Sequence, residues 1–130
     1  MREILFRGKD FGVINHSWCF GSLDTTEDDR AIIIYPDRFG NKCRIIVDPK
    51  TVGQYTGLKD KNGTKIFEGD IILLRGDEEP YQVVFDESCF HVYDSSVCYV
   101  MNNFYDYEME VIGNIYDNPE LLGGKEDDLG

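Results

Sequence analysis

Apolar residues come in short runs broken by polar turns throughout this chain. No stretch holds a 3.6-residue period long enough for a full helix. The clearest pattern lies in residues 54–74, QYTGLKDKNGTKIFEGDIILL. This stretch predicts a β-hairpin followed by a turn into a buried strand. Its tip, Lys59-Asp60-Lys61-Asn62-Gly63, contains an Asn-Gly pair, which supplies the positive φ values of a tight hairpin. Ile66 and Phe67 carry the return strand. Glu68-Gly69-Asp70 makes a second tight turn, and Ile71-Ile72-Leu73-Leu74 is apolar on both faces, as a core strand is.

The same reading extends over the rest of the chain. Arg2 to Arg7 is expected to open it as a strand, and Phe11 to Leu23 carries the single tryptophan, Trp18. Asp24 to Arg30 is a polar loop. Ala31–Tyr35 and Cys43–Val47 are β-branched runs joined by a Pro- and Gly-bearing turn. Asp48 is placed to cap one helical turn that starts at Pro49. Strands follow at Tyr81–Phe85, Phe90–Tyr93 and Val97–Met101, the last two split by Asp94-Ser95-Ser96. Tyr105, Tyr107, Met109 and Val111 alternate with Asp106, Glu108 and Glu110, which predicts a strand with one apolar and one acidic face. Asn118–Leu122 reads as a capped helical turn. The expected fold is all-β, a small barrel or two packed antiparallel sheets with SH3-like barrel character and short helical turns only. Residues 1–122 are expected to form one domain, and 123–130 a flexible acidic tail.

Composition narrows the function. Twenty-five acidic residues against 13 basic ones leave a formal charge of −12. Such a surface argues against direct nucleic-acid binding, which needs cations to displace counterions. It favours solubility and a basic partner. No apolar run approaches a membrane span, and the N-terminus lacks the apolar core of a secretory signal. The four cysteines, Cys19, Cys43, Cys89 and Cys98, form no Cys-x-x-Cys pair, and partly buried reduced thiols are expected.

Several pieces together resemble a known family. They are Thr56-Gly57-Leu58-Lys59-Asp60-Lys61-Asn62-Gly63 and Ile66-Phe67-Glu68-Gly69-Asp70-Ile71, with the opening Met1–Gly8, Trp18 with Gly21-Ser22-Leu23, and the closing Val111–Leu122. In this order, over nearly the whole chain, they are similar to the YopX family of phage and prophage proteins. The resemblance implies a bacterial cytoplasmic setting. It supplies no catalytic residues, because the family has no established activity. Gly57, Asn62, Gly63, Phe67, Glu68, Gly69 and Asp70 are therefore expected to be structural.

Tests for chemistry point the same way. Cys89 and His91 share a strand face, and Cys98 on the paired strand is a conceivable third ligand, yet zinc takes four ligands, or three and water. A calcium loop starting at Asp60 would need Gly at its sixth position and Glu at its twelfth. Lys65 and Ile71 stand there instead. Glu68 and Asp70 flank a glycine as turn residues do. No catalytic, metal or cofactor site is expected. The acidic, tyrosine-rich stretch Tyr105, Asp106, Tyr107, Glu108 and Glu110 is the candidate interaction face, since tyrosine pairs apolar area with a polar tip. The expected function is a non-catalytic binding or assembly module, homo-oligomeric or bound to a host or phage protein. The alternative is an acidic decoy that mimics DNA to a host DNA-binding protein.

Overall fold

The computed structural model describes residues 4–12, 17–26, 28–86, 88–94 and 97–122. Sequence expectations for Arg2, Ser95, Ser96 and the tail 123–130 lie outside them. The described residues are all-β, with antiparallel pairing and no helix among them beyond short 3-10 turns. Neither sheet closes into a barrel, so the pair of sheets is the arrangement present. The chain divides into two compact units, residues 1–55 and 56–130.

The first unit holds β1 (Phe6–Lys9), β2 (Trp18–Thr25), β3 (Ala31–Pro36), β4 (Lys42–Val47) and the first half of β5 (Gly53–Lys59), in the order β4-β3-β2-β1-β5. Among the described residues the opening strand is Phe6–Lys9, and Ile4 and Leu5 before it are not strand. Leu23, Ile33 and Ile45 stand opposite one another across three strands, as do Ala31 and Val47 across two. Period-two spacing on β3 thus sends Ala31 and Ile33 into a small core with Val47. Asp48 accepts from the Lys50 amide at 3.0 Å and caps the 3-10 turn Pro49–Thr51, as expected from Asp-Pro. Trp18 is half-buried, with the Arg7 guanidinium 4.4 Å and the Lys9 ammonium 5.5 Å from its ring centre. It is a partly covered cation-binding face as well as a packing residue.

The second unit takes the rest of β5 with its neighbour β6 (Lys65–Phe67). It adds β7 (Asp70–Leu74), β8 (Tyr81–Asp86), β9 (Cys89–Tyr93), β10 (Cys98–Val100) and β11 (Met109–Asn114). The last five form a sheet in the order β10-β9-β8-β7-β11. Its core gathers Ile66, Ile72, Leu74, Tyr81, Val83, Phe90, Val92, Met101 and Met109. Two turns seen in the sequence are built by side chains. Asp70 is buried and accepts from the Phe67 amide at 2.7 Å, closing the turn through Gly69. Gly69 has φ +94°, and a Cβ there would stand 3.0 Å from the Tyr116 ring, so the position suits glycine on both counts. Pro119–Leu122 forms the expected closing turn, and Asn118 accepts from the Asn114 amide at 3.2 Å.

Candidate functional site

β7 and β11 pair with Met109 opposite Leu74 and Glu110 opposite Leu73. The chain entering β11 is not a strand, which corrects the period-two reading of residues 105–111. Asp106–Glu108 form a 3-10 turn. The Glu108 amide donates to the Tyr105 carbonyl at 2.9 Å, and the Glu108 carboxylate accepts from the Tyr105 amide at 2.9 Å. This reciprocal capping gives the backbone local partners in place of a ladder, so alternation alone does not decide the conformation. The strand begins at Met109, which is fully buried. Tyr105 and Tyr107, which an inner sheet face would have buried, are 68% and 56% exposed.

The two tyrosine rings stack, with centres 5.5 Å apart and planes 13° off parallel. The Arg75 guanidinium lies 5.7 Å from the Tyr107 ring centre. Its backbone is held where Arg75 N–H donates to the Glu108 carbonyl at 2.8 Å. Beside this column runs a groove of about 340 Å³ with a mainly polar lining, on which Leu73 is half-buried and Leu74 and Met109 are buried. Lys61 and Glu110 form an ion pair on the groove at 3.4 Å, both partly exposed. Asp77, also on the groove, accepts the Tyr81 hydroxyl at 3.0 Å. Burial, then the Asp77 carboxylate, pushes the Tyr81 phenol up to about 12.

The tip of the central hairpin forms the next wall. Asp60 is buried, and its carboxylate accepts three amides at 2.9 Å each: Asn62 and Thr64 within the turn, and Val111 on β11. The Lys61 amide donates to the Met109 carbonyl at 2.9 Å. Gly63 takes a positive φ of +81° and Asn62 does not, so the Asn-Gly pair supplies one of the two positive φ values expected of a two-residue hairpin turn, and the loop closes instead through Asp60. The hairpin tip therefore occupies backbone groups of β11. Sequence reasoning marked this tip as a turn but missed the Asp60 tether, and it missed Lys61 and Arg75 as groove residues. The available signal was an aspartate at the first position of D-K-N-G-T, where its carboxylate reaches forward amides. Its long-range bond to Val111 had no local signal.

The remaining expected site residues fall as follows. Asn62 and Gly63 are exposed at the tip, Gly57 is exposed on β5 at φ +87°, Phe67 is buried, and Glu68 is half-buried in the second turn. Of the acidic residues of the candidate face, Glu108 is engaged with the Tyr105 amide and Glu110 with Lys61. Asp106 is exposed and has no ion-pair partner among the described residues. Cys89 and His91 do approach, with sulfur 3.6 Å from Nε2. Cys98 stands opposite Tyr93, and Val100 opposite His91, so the third ligand is displaced along the strand. Among the described residues, no three His, Cys, Asp or Glu side chains converge as a metal site. In the first unit, burial and the Asp10 carboxylate push the Cys19 thiol up, away from thiolate chemistry. No helix among the described residues is long and apolar enough to cross a membrane.

Comparison with known proteins completes the description. The sequence model described as YopX protein matches residues 13–123. The fold is similar to that of protein EF1440 from Enterococcus faecalis, with a TM-score of 0.61 at 23% identity over 94% of this chain and 99% of that one. It is also similar to protein yopX from Bacillus subtilis, with a TM-score of 0.59 at 20% identity over 91% of this chain and 97% of that one. Among curated proteins nothing matches. At these identities the structural likeness carries the fold, and the match over residues 13–123 carries the family: this chain belongs to the YopX family.

Proposed function

We propose that this chain is a non-catalytic assembly module, encoded by a phage or prophage, that works in the bacterial cytoplasm by binding a second copy of itself. The observation that carries this reading is the exposed Tyr105–Tyr107 stack beside a groove. Exposed aromatic side chains are frequent anchors of protein contacts. The capped turn and Arg75 already order the stack, which lowers the entropy lost on binding.

Strand pairing at β11 is a poor route to assembly. Its outward groups at Met109 and Val111 are taken by Lys61 and Asp60. Side chains of the groove, rather than an open backbone edge, are then the contact. The DNA-mimic alternative draws support from the charge of −12, but two of its three proposed phosphate stand-ins, Glu108 and Glu110, are engaged within the chain.

Sedimentation velocity over a concentration series tests the proposal. Tyr107→Ala is expected to weaken self-association while far-UV circular dichroism and Tm stay at parental values. A parent that stays monomeric at every concentration contradicts the assembly reading. A Tyr107→Ala protein that matches the parent in assembly and stability removes the groove from it.

A further inference from the structure

We infer that the groove beside Tyr105 and Tyr107 receives the tip of the β3–β4 hairpin of a second copy, with Phe39 as the inserted side chain. The inference rests on the self-association proposed above and names the two surfaces that meet.

The tip is built as a knob. Phe39 is 79% exposed and belongs to no core cluster. Its turn is held by Asp37, whose carboxylate accepts the Phe39 amide at 2.8 Å and the Asn41 amide at 2.9 Å. The Asp37 amide in turn donates to the Asn41 carbonyl at 2.8 Å. These bonds fix the backbone that presents the ring, so little order remains to be gained on docking. The Arg38 guanidinium stands 5.7 Å from the Phe39 ring centre and travels with it. A scattered exposed apolar residue needs no explanation. A phenylalanine set at the apex of a bonded turn, with an arginine beside it, has the composition of an interface anchor.

The groove offers the complement. Its lining is mainly polar, and Tyr107, exposed with half-buried Leu73 on the same groove, gives a ring for edge-to-face contact with Phe39. The charges also match. The groove and the stretches 75–80 and 105–110 beside it carry Asp77, Glu78, Glu79, Asp106, Glu108 and Glu110 against Lys61 and Arg75. The tip carries Arg38 and Lys42 against Asp37, so it is locally basic in a chain of net charge −12. Two copies repel through most of their surfaces, and this pairing is attractive. Asp106, exposed beside the stack, is the counter-charge assigned to Arg38. Tip and groove are different surfaces and each copy supplies one of each, so the contact forms twice about a two-fold axis or once per neighbour in a head-to-tail array.

That asymmetry gives a decisive experiment. Phe39→Ser damages the tip and Tyr107→Ala damages the groove, and both residues are exposed, so both variants are expected to fold with parental circular dichroism. Each alone is expected to weaken self-association by about tenfold or more in sedimentation velocity. An equal mixture of the two restores one intact contact, between the groove of the Phe39→Ser copy and the tip of the Tyr107→Ala copy. Native mass spectrometry is then expected to show mixed dimers that neither variant forms alone. Arg38→Glu is expected to weaken assembly, and an added Asp106→Lys to recover part of it. A parent that self-associates while Phe39→Ser associates equally well overturns the tip assignment and leaves the assembly reading standing. A mixture that forms no mixed dimers overturns the tip-to-groove pairing in the same way. A parent that is monomeric throughout overturns both.

Discussion

Tyr81 links a single side chain to the behaviour of the groove wall. It is buried, its hydroxyl donates to Asp77, and its phenol is pushed up to about 12 by burial first and that carboxylate second. An unfolded tyrosine ionises near pH ~10. Between these values the unfolded chain releases the proton while the folded one keeps it, so stability falls as pH rises. The contribution of Tyr81 is full below the unfolded value and lost as pH climbs through about 12. Absorbance titration is expected to show one late-ionising tyrosine in the parent, and Tyr81→Phe is expected to abolish it. The parent should also lose Tm more steeply than the variant across that alkaline window. Equal slopes would mean that the phenol is not held neutral by the fold.

At the scale of elements, the hairpin tip is fastened to β11 by the Asp60 carboxylate and the Lys61 amide. Asp60→Ala leaves three amides without their charged acceptor and is expected to cost about 3 kcal/mol in urea unfolding. Asp60→Asn separates the two roles. Its carbonyl can still serve Asn62 and Thr64, but its amide group meets the Val111 amide donor to donor. An intermediate loss is expected, and a loss as small as a surface substitution would show that the tether to β11 is weak. This tether also marks where sequence reading stops. The strands at 31–36, 42–47, 53–59, 65–67, 70–74 and 81–86 were legible because β-branched runs and turn residues agree locally. The 3-10 turn at Asp106–Glu108 was not, because a Glu108 side chain captured the Tyr105 amide against a clean alternating pattern. The alternating pattern puts the tyrosines on the apolar face of a strand, and they stand exposed at the 3-10 turn that precedes β11. The tip at Phe39 read as a plain turn, and only its exposure distinguishes it.

For the whole molecule, the governing quantity is a charge of −12 spread over 130 residues. Copies of such a chain repel at long range, and a specific contact must offset that repulsion locally. Salt screens exposed charges beyond about 8–10 Å at physiological ionic strength, so it relaxes the general repulsion as well as the Arg38–Asp106 attraction. Apolar insertion of Phe39 is the part that salt does not remove. The central claim is that the groove beside Tyr105 and Tyr107 is where copies meet, and hydrogen exchange compared between concentrated and dilute protein tests it most directly. The account predicts slower exchange on concentration in residues 73–77 and 105–110, with matching protection at 37–41. Protection confined to other strands, or exchange that does not change with concentration, would contradict it.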